Sequence, residues 1–341
     1  MTLDLAYNLD WEIARQRVRL ADCAERLLGA NDRRVVVVGA RGWIGRTVIA
    51  LLHQALGADA FANRVLCFGS ADALVDLGNG YAVRQRALTR LAELERTPTI
   101  LLHLAFLTKD KIGGMDAAAY EAANRGLSQS VHEALDVIGV DRLFVASSGA
   151  AALADDPSAP ADLRLYGRLK REDEALFSSW AEAGPDDRRA AIGRIYNVSG
   201  PWINKHSTYA LASFVLDALA GRPITVHAPR PVLRGYVAVR ELVSLVLAAL
   251  LARQGGAVLN FETGGEALEL ANVAELVARV VGGTVQRAPI ELGDSNRYIG
   301  DDRQWRMLLD RFGIEHLPVI DQVVETAAWL AHETQIFPPL Q

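Results

Sequence analysis

The stretch Val35-Val36-Val37-Val38-Gly39-Ala40-Arg41-Gly42-Trp43-Ile44-Gly45-Arg46-Thr47-Val48-Ile49 decides how this chain is read. Four consecutive β-branched residues suit a strand buried on both faces. Glycines then fall at 39, 42 and 45, and an apolar helical pattern follows. The stretch therefore predicts a strand, a tight turn and a helix N-terminus, where backbone can approach a pyrophosphate and free N–H groups meet it. Gly39, Arg41, Gly42, Trp43, Ile44 and Gly45 are the cofactor-binding candidates. The spacing is Gly-x-x-Gly-x-x-Gly rather than the commoner Gly-x-Gly-x-x-Gly. By themselves the same glycines would also serve a turn that packs helix on strand.

The rest of the chain agrees with a nucleotide-binding α/β protein. Of 341 residues, 50% are hydrophobic and 23% charged, with a net charge of −5. That is the composition of a soluble globule and gives no sign of a nucleic-acid partner. Cys23 and Cys67 have neither metal-ligand nor disulfide spacing, which fits a reducing cytoplasm and predicts no metal. The first residues carry Asp4, Asp10 and Glu12 and no apolar signal core, and the apolar run from Leu245 to Ala252 is too short for a membrane span.

Strands are expected at Arg34–Val38, Arg64–Phe68, Thr99–Leu104, Arg142–Ala146 and Ala190–Tyr196. Helices are expected at Trp43–Leu56, Leu88–Arg96, Ala117–Ile138 and Tyr166–Ala183. This alternation predicts a Rossmann-type, doubly wound parallel sheet at residues 31–200. Residues 1–30 read as a helical extension: Asp10 caps one helix with Trp11, Ala14, Val18, Ala21 and Leu28 on one side, for packing or dimerisation. Residues 201–341, with helices at Tyr209–Ala220, Glu241–Ala252, Ala271–Val281, Gln304–Arg311 and Asp321–Ala331 and strands at Ile224–His227 and Ala257–Phe261, read as a smaller C-terminal α/β substrate lobe, with the chain crossing between lobes.

Tyr166 and Lys170 stand four residues apart, on one helix face. An ammonium beside a phenol favours the phenolate, which lets the tyrosine exchange a proton near neutral pH. Two surface residues on a helix would show the same spacing. Ser147 and Ser148 end a strand at the side of the sheet where such folds bind ligands, so Ser148 is placed to hold a reacting oxygen beside Tyr166. His103, Leu104, Ala105 and Phe106 end the preceding strand, where small residues let a cofactor pass. Asn124 lies inside a helix, a poor place for asparagine unless it has a polar task.

Taken in order, the glycine turn, His-Leu-Ala, Asn-x-Gly, Ser-Ser and Tyr-x-x-x-Lys resemble the extended short-chain dehydrogenase/reductases. Arg194-Ile195-Tyr196-Asn197-Val198-Ser199-Gly200-Pro201 and Arg234-Gly235-Tyr236-Val237 resemble two further motifs of their nucleotide-sugar epimerase and dehydratase branch, and Tyr298-x-x-Asp301 a third, loosely. The resemblance covers about residues 33–330. It implies a nicotinamide-dependent oxidoreductase of a nucleotide sugar, a 4-keto reductase or a 4-epimerase. Tyr166 would be the acid/base and Lys170 would hold the ribose. Ser148, with Asn124, would complete the catalytic set, while Tyr196 would line the cofactor and Asn197 and Arg234 would meet the substrate diphosphate. A reductase of a non-nucleotide carbonyl, or a non-catalytic dinucleotide sensor, are the alternatives. The acidic pair that works elimination in the family's 4,6-dehydratases is replaced by Gly149 and Ala150, so that chemistry is not expected. A homodimer through the helices at 117–138 and 166–183 is implied as well. The second strand ends in Gly69-Ser70 with no carboxylate for a ribose, and Arg41 offers a cation to a 2′-phosphate. NADP is therefore expected over NAD.

Overall fold

The computed structural model describes residues 7–78, 80–252, 255–291 and 294–336, without the side chains of residues 110, 111, 113, 335 and 336. Two short helices, α1 (Trp11–Ala14) and α2 (Asp22–Gly29), come first. Then follow β1 (Arg34–Val38), α3 (Trp43–Arg64), β2 (Val65–Gly69) and a hairpin of β3 (Ala73–Asp76) and β4 (Ala82–Ala87). Next are β5 (Thr99–His103), α4 (Ala117–Ile138), β6 (Val140–Ser148), α5 (Ala161–Glu182) and β7 (Arg189–Ile195). The C-terminal part runs β8 (Asn197–Ser199), α6 (Ala210–Leu219), β9 (Ile224–Val226), β10 (Val232–Ala238), α7 (Val239–Leu251) and β11 (Val258–Glu262). It ends with β12 (Ala267–Glu269), α8 (Leu270–Val281), β13 (Val285–Arg287), β14 (Asn296–Tyr298), α9 (Asp302–Phe312) and α10 (Val319–Ile336).

Eight strands form one sheet in the order β11-β7-β6-β5-β1-β2-β4-β3, parallel except for β3. Residues 35–38 are fully buried because each face of β1 has its own core. Val35 and Val37 pack with α3 and the C-terminal helices, and Val36 and Val38 with α4 and α5 residues such as Val131 and Phe177. The chain passes from β1 to β2 on one side and to β5 on the other. This reversal opens a crevice at the carboxyl ends of β1 and β5, the usual ligand position in such a sheet.

The boundary at residue 200 is crossed: β11 returns to pair with β7 at the edge of the large sheet. A small sheet beside it holds β12-β10-β14, with β8 on the other part of β10, and β9 pairs with β13. The N-terminal extension is not one helix. Exposed Arg17 and Arg19 alternate with buried Val18 and Leu20, a period-two segment that separates α1 from α2. Trp11 packs against Trp202 and Trp329 with ring centroids 5.5 and 5.2 Å away, and the Ala21 N–H donates to Ser244 Oγ of α7. The extension is thus built into the core of its own chain. The helix expected to end at Leu56 breaks at Gly57, where φ is 73°, and resumes to Arg64. The segment expected as a helix from Leu88 is a short 3-10 turn, Leu88–Glu93. No helix among the described residues is long and apolar enough to cross a membrane.

Candidate active site

The glycine turn is shaped by close approach. Gly39 has φ 98°, and a Cβ there would lie 2.7 Å from the Ala105 backbone nitrogen, across the crevice. A Cβ on Gly45 would lie 2.3 Å from the Gly39 carbonyl oxygen, so only glycine lets α3 start this near β1. Gly42 differs, since its φ of −69° suits any residue and a Cβ would meet only the Gly39 oxygen, at 3.3 Å. No side chain caps α3. The first amides of the helix, from Trp43, Ile44 and Gly45, therefore point to an open approach, which fits a pyrophosphate. Trp43 contributes its backbone alone: its indole donates to the Pro201 carbonyl at 2.8 Å and stacks edge-on with Tyr209, joining α3 to the C-terminal part. Arg41 and Ser70 are exposed, and Arg41 has no hydrogen bond or ion pair among the described residues. The Leu104 amide is spent on the Val38 carbonyl, and Leu104 and Ala105 form the opposite lip.

At the end of β6 the strand's alternation separates the two serines. Ser147 donates to Glu174 of α5 at 2.5 Å, and Glu174 holds Arg194 of β7 through two bonds of 2.9 and 2.8 Å. Ser148 faces the other way, with its hydroxyl oxygen 3.2 Å from that of Tyr298. Helix α5 begins at Ala161, so Tyr166 stands in its second turn, half-buried with its ring edge-on to Phe106 at 5.7 Å. Lys170 is buried. Its ammonium donates to the Ala146 carbonyl at 2.8 Å and lies 3.6 Å from the centre of the Phe106 ring. Burial pulls its pKa down to about 8, against the opposing pull of the Asp173 and Glu174 carboxylates. His103, beneath, is held neutral: burial and then the Lys170 charge push its pKa down to about 3.

Asn124 has a positioning task. Its Oδ1 accepts the Leu107 N–H at 2.8 Å and its Nδ2 donates to the Leu107 and Tyr120 carbonyls, so the amide pins the loop that carries Phe106. A buried asparagine amide has to be satisfied, and here backbone satisfies it, which leaves it no donor for a reacting group.

The wall facing Ser148 comes from the small sheet. Arg234 on β10 and Tyr298 on β14 are register partners. Arg234 is half-buried and donates to the carbonyls of Leu233 and Asn296 and to Asn296 Oδ1. No carboxylate among the described residues pairs with it, and burial lowers its pKa. Its guanidinium lies 5.9 Å from the centre of the Tyr298 ring. Burial also raises the Tyr298 phenol, which the bond to Ser148 partly offsets. Asn197 spends both amide hydrogens on the Gly235 and Tyr298 carbonyls, each at 3.2 Å, and so locks β8 to β14. Tyr196 packs its ring on Tyr298 at 4.8 Å and directs its hydroxyl to Glu262. A Cβ at Gly149 would come within 2.4 Å of that ring. The position of a dehydratase acid is thus filled by Tyr196, for a physical reason the sequence did not show.

Phe106 ends the expected lip, but its ring face on Lys170 is not legible in the sequence. Two further contributors escaped the sequence reading. Glu174 lies on the Tyr166–Lys170 helix face, a signal that was available. Asp173 sits in the run Arg171-Glu172-Asp173-Glu174, which reads as a solvated charged face, yet it is buried. Among the described residues no group of three or more His, Cys, Asp or Glu could hold a metal ion.

A doubly wound sheet with a glycine-rich first turn, and Ser148, Tyr166 and Lys170 on the elements at its carboxyl edge, is the arrangement of an extended short-chain oxidoreductase fold. The chain belongs to the NAD dependent epimerase/dehydratase family, whose model matches residues 35–261. A search of the curated proteins finds no match. Among solved structures, MoeE5 in complex with UDP-glucose and NAD is 21% identical, with a TM-score of 0.65 over 87% of this chain and 98% of that one. UDP-glucose 4-epimerase from Brucella ovis in complex with NAD is 20% identical, with a TM-score of 0.65 over 87% and 97%. An epimerase from Methanothermobacter thermautotrophicus is 15% identical, with a TM-score of 0.70 over 92% and 97%. At these identities the likeness is one of fold.

Proposed function

We propose that this protein interconverts an alcohol and a ketone at C4 of a nucleotide sugar, as a 4-epimerase or a 4-keto reductase, with NAD as its working cofactor. The observation that carries the reading is Arg234: a half-buried guanidinium without a carboxylate partner among the described residues, on the wall opposite Ser148. An anion from outside the chain completes such a group best, and a diphosphate matches its fork. MoeE5 and the Brucella ovis enzyme carry NAD in their solved complexes, and the family's description names the same cofactor. Nothing in these likenesses favours the NADP preference expected from Arg41, so NAD takes its place.

When bound, the nicotinamide supplies the hydride donor and acceptor. The chain's own residues do the rest. Ser148 holds the sugar oxygen. Tyr166 gives or takes the proton at that oxygen. Lys170, with its charge retained, steadies the ribose and favours the phenolate. Arg234 takes the diphosphate, and Asn197 keeps the wall in register. We also take the working form to be a homodimer through α4 and α5, a self-complementary patch tested by light scattering at micromolar concentration.

The deciding experiment incubates the protein with NAD or NADH and a panel of UDP- and GDP-sugars or their 4-keto forms, followed by mass spectrometry and NMR. An epimerase returns a C4 epimer of unchanged mass without net use of cofactor. A reductase uses one reduced dinucleotide for each product. Failure to bind any nucleotide sugar while a plain carbonyl is reduced would move the substrate outside this class. Binding of dinucleotide alone, with no turnover of any kind, would make it a sensor.

A further inference from the structure

Asp173 sits near Lys170 on α5 and is withdrawn from water, its side chain 6% exposed. Ser128 of α4 donates to its Oδ1 at 2.6 Å. Its Oδ2 has no hydrogen-bond partner and lies 3.8 Å from Lys170 Nζ. A cavity of about 250 Å³ opens beside the pair between α4 and α5, lined by Phe106, Asn124, Ser128 and Asp173 among others. A buried carboxylate is expensive unless a charge compensates it, and Lys170 is the cation in reach.

The other groups around Lys170 do not replace Asp173. Glu174, on the same helix, is committed to Arg194 and Ser147. Glu172, next to Asp173, is paired with Arg125. His103 of β5 is neutral, and Phe106 offers a ring face. Tyr166 stands one turn before Lys170 on α5, and α4 presents the uncharged Asn124, Ser128 and Gln129 together with Arg125, whose charge is taken up by Glu121 and Glu172.

We propose that Asp173, oriented by Ser128, is a positioning residue: the counter-ion that keeps the buried Lys170 ammonium charged and aimed, and thereby sets the alkaline limit of activity. The proposal rests on the reading of Tyr166 and Lys170 as the working pair. The sign follows from electrostatics. An adjacent anion favours the ammonium, so removing it lowers the Lys170 pKa, and a step that needs the ammonium then fails at lower pH.

The test records kcat/KM against pH for wild type, Asp173→Asn, Asp173→Glu and Ser128→Ala. In parallel, calorimetry measures the pH dependence of NAD affinity, which needs no substrate. Asp173→Asn keeps the shape of the side chain and its contact with Ser128. It is expected to move the alkaline limb down by about 1–3 pH units in both profiles, the range for loss of a close opposite charge. Ser128→Ala shifts it less, in the same direction, and Asp173→Glu restores much of it. Profiles of Asp173→Asn that superpose on wild type, with a change only of level or of thermal stability, would overturn the proposal and leave Asp173 a packing residue. Because the affinity profile is read without a sugar, the proposal can fail or stand independently of the substrate assignment.

Discussion

Lys170 and Arg234 are both cations drawn away from bulk water, and the fold treats them in opposite ways. Lys170, on the large sheet's side of the cleft, is surrounded by a carbonyl, an aromatic face and a carboxylate, all from its own chain. Arg234, on the small sheet's side, receives neutral oxygens and the Tyr298 ring and, among the described residues, no carboxylate. A cation completed from within can tune its neighbour, and one left incomplete is free to take an anion from outside. In the function proposed above, the first wall carries the chemistry and the second the recognition, with Ser148 and Tyr298 joined between them.

Substitutions on each wall sharpen or break that division. The largest effect is expected at Tyr166. Tyr166→Phe lowers kcat by about 10²–10⁴-fold, the usual contribution of general acid–base catalysis, while NAD affinity by calorimetry stays put. Near-full activity would remove chemistry from the first wall. Arg234→Ala comes next: loss of a charge-assisted bond of about 1.5–3 kcal/mol weakens nucleotide-sugar affinity by roughly 10–150-fold and leaves NAD untouched. An equal loss for NAD would show that the two walls are not separate. Asn124→Ala is expected to act through stability, since it strands the Leu107 N–H, while the Leu107 carbonyl keeps the Tyr120 hydroxyl. The cost is about 1–3 kcal/mol, read as a lower Tm and a lower kcat together. The smallest effect is expected at Arg41. With NAD as cofactor, Arg41→Ala changes NAD affinity by less than about tenfold, as for the loss of one exposed charge. A strong NADP preference in wild type that disappears in this variant would restore the cofactor expected from Arg41 and Ser70.

The two walls were not equally legible in the sequence. Val35–Val38 and the glycines after it lie within one turn of chain, and their period and spacing state the outcome directly. The strand Arg34–Val38 and the helix Ala117–Ile138 occur with the expected bounds. The second wall sets the seven-residue strand Val232–Ala238 beside three-residue strands, Asn197–Ser199 and Asn296–Tyr298, too short to show any period. The contact between Ser148 and Tyr298 spans 150 residues. Motif resemblance pointed at Arg234 and Asn197 but not at what surrounds them, because partners are a property of the fold. Asp173 was hidden for the opposite reason: its neighbours in sequence are charged and solvated, and only the packing of α5 on α4 turns it inward.

The central claim is that the first wall moves a proton while the dinucleotide takes or gives a hydride at the sugar. It is tested most directly by mixing the NAD-loaded protein with UDP-glucose deuterated at C4 and following reduction of the bound dinucleotide and the position of the label. The account predicts that deuterium reaches the dinucleotide in wild type and not in Tyr166→Phe, although both proteins bind both ligands. If the bound dinucleotide is not reduced even transiently and no C4 epimer forms in wild type, with this and every other nucleotide sugar that binds, the account is contradicted.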